Sequence, residues 1–155
     1  MTQPNRLSPP EQEEVVQEVA GVMLQNAPAG WQRMELIYRS TVGVDSAELL
    51  ATTTGEPERV PVPMKISSRM SSLREGMYEQ DRGSWFTARL LLEPPRNYRV
   101  EYDYDGEPAY TPPLTAGAYA LDFQHYPRSE DHTPDWLRDK LAEAAEAAAG
   151  TEDNS

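Results

Sequence analysis

Two neighbouring segments, residues 85–92 and 98–105, read as paired β-strands and constrain the fold more than any other feature of this sequence. Successive side chains of a strand point to opposite faces of the sheet, so each segment can bury one face and leave the other in water. The residues between them, 93–97, include two prolines and an asparagine, which favour a turn. The sequence therefore predicts a hairpin with one face in the core.

The second segment predicts two chemically different faces. Its aromatic face is expected to join the core, since aromatic side chains bury the most surface per residue. The aromatic residues of this region to which we assign a structural role are Trp85, Phe86, Tyr102, Tyr104 and Trp136. The other face carries carboxylates about 6.7 Å apart, and a row of like charges is either a solvated edge or a surface for a cationic partner. The candidate partner-binding residues are Glu101, Asp103, Asp105 and Glu107.

Composition limits the class of protein. A chain of 155 residues with 38% hydrophobic and 26% charged residues is expected to form one globular domain. The absence of cysteine excludes a disulfide scaffold, a thiol nucleophile and a Cys-ligated zinc site. No apolar run approaches the ~20 residues that span a bilayer, and no hydrophobic signal core follows the first residues. We therefore expect a cytoplasmic protein, either a monomer or a small homo-oligomer.

Negative charge is concentrated in one part of the chain. The formal net charge of −12 argues against direct binding to nucleic acid or to an anionic membrane. Residues 101–135 contain eight acidic residues and one basic residue, a local charge of −7, whereas residues 65–99 contain seven basic and four acidic residues, a local charge of +3. This segregation favours an acidic face with a function, although an acidic surface can also serve solubility alone.

The remaining patterns predict helices and further strands. Ser8, with Glu11 three residues later, predicts a capping box that begins a helix at about 9–26. Residues 31–42 and 47–54 are predicted strands, with the second paired back on the first across a turn at 43–45. Residues 60–63 are a predicted proline-containing edge or connector. A helical stripe predicts a central helix, and a last helix opens at Pro134. The stripe consists of Ile66, Met70, Leu73 and Met77, and Arg69, Arg74, Glu75 and Glu79 are expected to lie mostly off it.

Together these patterns predict an α+β fold. An antiparallel sheet of about four or more strands would pack against N-terminal, central and C-terminal helices. We expect a single domain at residues 1–149, with a frayed start at 1–7 and a disordered tail at 150–155.

Most motifs of enzyme chemistry are absent from the sequence, although a Ser–His–Asp arrangement stays open because its members need not be neighbours in the chain. Glu101, Asp103, Asp105 and Gly106 match the first positions of a calcium loop, but Pro112 stands where a bidentate Glu is required. His125 and His132 are not spaced as a helical ligand pair, and we expect a surface or capping role for each. Neither a G-x-S-x-G nucleophile elbow nor a glycine-rich phosphate loop occurs. We predict no enzymatic activity, no catalytic residues, no metal site and no cofactor.

Four motifs, in order, resemble the YezG-like immunity protein family. They lie at residues 83–88, 102–108, 122–128 and 134–137, with the sequences GSWFTA, YDYDGEP, DFQHYPR and PDWL. The resemblance covers about the last two-thirds of the chain, and the predicted helix–strand–strand opening agrees with it in order. It implies an α+β fold and an antitoxin that neutralises the toxin domain of a secreted bacterial polymorphic toxin, often a nuclease. The family supplies no catalytic residues.

Three hypotheses follow for the function. The first is an immunity protein that binds a cognate toxin domain through the four acids of residues 101–107. The second is a divalent-metal-binding protein or enzyme that uses Glu101, Asp103 and Asp105. The third is a regulatory interaction module with a non-toxin partner.

Overall fold

The computed structural model describes residues 6–153, which form five β-strands and four α-helices in an α+β arrangement. The predicted fold class is confirmed. In chain order the elements are α1 (Pro9–Gln25), β1 (Arg33–Ser40), β2 (Asp45–Thr52), β3 (Glu58–Val60), α2 (Met64–Gly76), β4 (Thr87–Glu93), β5 (Asn97–Asp103), α3 (Ala116–His125), a short 3-10 helix (Glu130–His132) and α4 (Asp135–Asp153).

The five strands form one antiparallel sheet in the order β3-β2-β1-β4-β5. The β1–β2 and β4–β5 pairs are hairpins, as the sequence predicts, and β1 joins them by pairing with β4. Leu36 lies opposite Leu49 on one side and Leu90 on the other, so the centre of the sheet is apolar on its inner face. The short edge strand β3 ends at Val60, because Pro61 and Pro63 follow and proline cannot donate a backbone hydrogen bond.

Helices α1 and α2 cover the inner face of the sheet and enclose the main core. The helix α1 begins as predicted, because the Ser8 hydroxyl accepts the Glu11 N–H and the Glu11 carboxylate accepts the Ser8 N–H. Its apolar stripe and that of α2 meet the inner side chains of the strands. The largest fully buried side chains of this core include Met23, Met34, Leu36, Tyr38, Ile66, Met70, Leu73, Trp85 and Leu90.

Strand β5 shows the expected alternation, with its aromatic face partly buried and its other face exposed. It ends at Asp103, however, two residues earlier than predicted. The Asp103 side chain accepts the N–H groups of Asp105 and Gly106 and so turns the chain out of the sheet. Asp105 is therefore a turn residue and does not continue a straight row of carboxylates.

Near both ends, the described residues overlap the ranges that we expected to be frayed or disordered. The Leu7 N–H donates to the Gly76 carbonyl at 2.9 Å, which fixes the chain just before α1. Helix α4 continues past Gly150 to Asp153, within the range 150–155 where we expected disorder. The predictions for residues 1–5 and 154–155 lie outside the described residues. Between residues 6 and 153, no helix is long and apolar enough to cross a membrane.

Candidate interaction surface

The two C-terminal helices pack against each other at the end of the sheet where β4 begins and β5 ends. Their contact is a small second core, in which Phe86 meets Tyr119 from α3 and Trp136 from α4 in edge-to-face geometry. The three ring centroids lie 5.3–6.2 Å apart. The indole N–H of Trp136 also donates to the Asp105 carbonyl at 2.7 Å, which ties the start of α4 to the turn after β5.

A buried ion pair joins α2 to α3. Both terminal nitrogens of Arg74 donate to the Asp122 carboxylate, at 2.7 and 2.9 Å, while its Nε donates to the Trp85 carbonyl. Asp122 also accepts the Val42 N–H at 2.8 Å, so it holds the β1–β2 turn as well. Both charged residues are 3% exposed. A bidentate pair of this kind is tolerated in a core because nearly every donor and acceptor is satisfied.

A second buried guanidinium ties the C-terminal region to the sheet. The terminal nitrogens of Arg128 donate to the carbonyls of Ser84, Tyr104 and His132 at 2.6–3.1 Å. Burial lowers the pKa of the Arg128 guanidinium, and the carboxylate of Asp105, 3.5 Å away, acts in the opposite direction. The guanidinium lies 4.8 Å from the centre of the Phe86 ring, and that of Arg74 lies 5.5 Å from it.

These contacts bring the four motifs of the sequence analysis, at 83–88, 102–108, 122–128 and 134–137, together in one region of the structure. The motif at 83–88 supplies Phe86 and two acceptor carbonyls, and the motif at 122–128 supplies Asp122 and Arg128. The motifs at 102–108 and 134–137 meet in the hydrogen bond between Trp136 and Asp105. The structure thus assigns these residues to the junction between the sheet and the C-terminal helices.

The predicted partner-binding acids lie on the exposed side of this junction. Glu101 is exposed on the outer face of β5 and lies 3.4 Å from Arg99. Asp103 and Asp105 are exposed, although the first caps the turn and the second approaches Arg128. Glu107 is exposed in the irregular segment that follows. The four acids are therefore accessible, but they bend around the end of the sheet.

Further acids extend this region. Arg138 donates to the Glu130 carbonyl at 2.8 Å and approaches Asp135 at 3.4 Å, so the short 3-10 helix and the start of α4 lie together. Arg128 and Trp136 connect both to the turn at Asp105. We call the exposed acids of this region the acidic surface. It consists of Glu101, Asp103, Asp105, Glu107, Glu130, Asp131 and Asp135.

The charge of the acidic surface is not balanced by a cation from the same stretch of chain. The one basic residue of residues 101–135, Arg128, is 8% exposed. The remaining acid, Asp122, is buried with Arg74. The stretch therefore presents seven carboxylates to solvent against one arginine of its own, the buried Arg128, which approaches only Asp105. Arg99 and Arg138 approach from its flanks.

The acids do not form a calcium loop in this structure. The Asp103 oxygens cap backbone N–H groups, and the carboxylate of Asp105 approaches a guanidinium. Among the residues that the structure describes, no group of three or more histidine, aspartate or glutamate side chains could hold a metal ion. The second hypothesis thus has no geometric support in this part of the chain.

Sequence reasoning missed the role of Arg74. We placed this residue mostly off the buried stripe of α2, and that expectation is wrong, since it is 3% exposed. Its position four residues after Met70 puts it on the inner side of the helix, which is a signal that the pattern does contain. Its charge argued for exposure, and only its partner Asp122, 48 residues away, permits burial.

Comparison of the chain with protein-family models gives no match, and comparison with curated proteins gives none either.

Proposed function

We propose that the protein is a cytoplasmic immunity protein that binds the toxin domain of a cognate bacterial polymorphic toxin and blocks it. The observation that carries the proposal is the acidic surface, seven exposed carboxylates with a single, buried arginine from their own stretch of chain. The motif resemblance supports the same conclusion. The protein would act by occupying a surface of the toxin, with no chemistry of its own.

Electrostatics explains how such a surface would work. A nuclease toxin must present cationic surface to a phosphate backbone, and a carboxylate-rich partner is attracted to that surface over a Debye length of ~8–10 Å at moderate ionic strength. Attraction of this kind speeds association and favours the correct orientation of the partners. The acidic surface would contact the cationic site or its rim and exclude the substrate.

The first test is co-expression with the gene adjacent to the one that encodes this protein. We expect the neighbouring product to arrest growth alone, and we expect this protein to restore growth and to co-purify with it in a one-to-one complex. A harmless neighbour, or one that never associates, would contradict the proposal. A complex with a harmless partner would instead favour the regulatory module.

The second test reverses charge on the acidic surface. Asp103 and Asp105 are poor choices, since the first caps a turn and the second approaches Arg128. The double substitution Glu101→Lys with Glu107→Lys alters exposed side chains and should weaken toxin binding about tenfold or more, mostly through slower association. The matched control is Glu56→Lys with Glu58→Lys, which makes the same charge change on exposed residues just before and at the start of β3, at the other end of the sheet.

Surface plasmon resonance at low and high salt would measure both variants. The control should keep its affinity within about threefold of the unchanged protein, because long-range charge alone acts weakly in salt. An equal loss in both variants would show that net charge matters and that the acidic surface is not the contact.

A further inference from the structure

A polar cleft of about 210 Å³ lies between the β1–β2 turn, α2 and the end of α3. Its floor includes the buried residues Ser40, Thr41 and Arg74, and its rim includes Asp45, His125 and Tyr126. A volume below the usual ~300 Å³ of a small-molecule site suits a single side chain better than a cofactor.

The Asp45 carboxylate is held in a fixed orientation at the rim of this cleft. The Tyr38 hydroxyl donates to one of its oxygens and the Ser40 hydroxyl to the other, both at 2.6 Å. Tyr38 is fully buried, so its hydroxyl is a rigid donor. A carboxylate has about four acceptor positions, and these two bonds occupy half of them. The remaining positions are available to a ligand.

The carboxylate of Asp45 has no cation of its own. None of the ion pairs found among residues 6–153 involves it. The nearest buried cation lining the cleft, Arg74, already shares two hydrogen bonds with Asp122. The cleft is therefore complementary to a positive charge.

An apolar patch borders the cleft. Val42, Val44 and Leu121, with exposures of 38%, 39% and 42%, are three of the four large hydrophobic side chains exposed in the described chain. They adjoin because the β1–β2 turn rests on α3, where a Cβ on Gly43 would lie 3.7 Å from Leu121. Protein–protein interfaces commonly combine an apolar patch with polar groups at its border.

We propose that this cleft receives an arginine side chain of a partner protein, while the patch of Val42, Val44 and Leu121 packs against the apolar residues beside that arginine. A guanidinium offers planar donors that match a carboxylate, and the cleft hydroxyls can accept its other N–H groups. The cleft lies at the same end of the sheet as the acidic surface, since Ser40 pairs with Asp45, its neighbour Arg39 pairs with Thr87, and Thr87 pairs with Asp103.

The inference rests on the proposed function only for the source of the arginine, because a cationic toxin surface would supply it. Binding of the side chain itself can be measured without a partner. The probe is N-acetyl-arginine methylamide, titrated into isotope-labelled protein and followed by NMR. Shifts should be confined to residues 40–45, 71–75 and 125–126, and the neutral citrulline analogue should give none.

Two substitutions complete the experiment. Asp45→Asn should weaken binding of the arginine probe about fivefold or more, whereas Asp131→Asn, an exposed acid of the acidic surface, should leave it unchanged. Equal binding of the arginine and citrulline probes by the unchanged protein would overturn the proposal, even if Asp45→Asn failed to fold. Shifts centred on the acidic surface instead of the cleft would also overturn it.

The outcome is separable from that of the proposed function. If the arginine probe binds the cleft but no toxin partner exists, the cleft stands and the immunity function fails. If a toxin is neutralised while the probe does not bind, the immunity function stands and the cleft assignment fails.

Discussion

Two buried arginines organise the junction between the sheet and the C-terminal helices. The Arg74 guanidinium donates to the Trp85 carbonyl, and that of Arg128 donates to three backbone carbonyls. Both guanidinium groups lie within 5.5 Å of the centre of the Phe86 ring. A buried guanidinium is tolerated only because its N–H groups donate hydrogen bonds to nearby acceptors. Gly83 makes room for this arrangement. Its φ of +82° suits glycine, and a Cβ there would lie 2.7 Å from the Nε of Arg128.

The substitution Gly83→Ala should therefore lower the free energy of unfolding by about 1–3 kcal/mol, from backbone strain and displacement of Arg128. The matched control is Gly21→Ala in the middle of α1, where the added Cβ has no atom within 4 Å apart from its chain neighbours and the nearby backbone of its own helix. This control should raise the free energy of unfolding by about 0.5–1 kcal/mol, because alanine favours the helix. Urea denaturation measures both. An increase in the free energy of unfolding of Gly83→Ala similar to that of Gly21→Ala would contradict this explanation of Gly83.

At the scale of elements, α1 and α2 pack on the sheet and enclose the main core. Helices α3 and α4 pack on each other and are joined to the end of the sheet. Helix α3 packs mainly on α4, and the two share the small core around Phe86. The attachment depends on the ion pair between Arg74 and Asp122, which links α2, α3 and the β1–β2 turn at one point. Loss of one partner would leave a buried charge without compensation.

We expect Asp122→Ala to lower the free energy of unfolding by about 3–5 kcal/mol. Glu35→Ala is the control, because Glu35 and Arg89 form an ion pair of 3.7 Å on the outer face of the sheet and the arginine is 54% exposed. Its removal should cost less than about 1 kcal/mol. Urea unfolding followed by circular dichroism compares them. If both variants lost the same stability, Asp122 would not be the attachment point. The double variant Arg74→Met with Asp122→Leu should recover part of the loss.

For the whole molecule, buried and partly buried tyrosines are expected to lower stability at alkaline pH. Burial raises the pKa of Tyr102 and of Tyr119 to about 12, while both would ionise near pH 10 in the unfolded chain. Below that value both states are protonated and these groups add no dependence on pH. Between about pH 10 and 12 the unfolded state binds fewer protons than the folded state, so stability falls as pH rises.

Urea midpoints from about pH 9 to 12, with tyrosinate absorbance recorded in parallel, should show this decline beginning near pH 10. Tyr119→Phe removes one of the groups and should make the decline shallower. A midpoint that stays constant to about pH 12 would show that the tyrosine hydroxyls are accessible to solvent.

Sequence patterns predict the helices and strands of this protein because each element depends on residues that are close together in the chain. The capping box of Ser8 and Glu11, the helical stripe of α2 and the two-residue period of β5 each report on neighbours within a few residues. The sequence alone therefore determined the fold class, both hairpins and the acidic character of residues 101–135.

Only the tertiary structure decided which distant residues meet. It placed β1 beside β4, buried Arg74 against Asp122, and ended β5 at Asp103 so that the acids bend around the sheet. It also assembled the cleft at Asp45 from three separate elements. The spacing of residues within one helix or strand does not predict such contacts. A charged residue such as Arg74 is buried only when a partner far along the chain offsets the loss of its hydration.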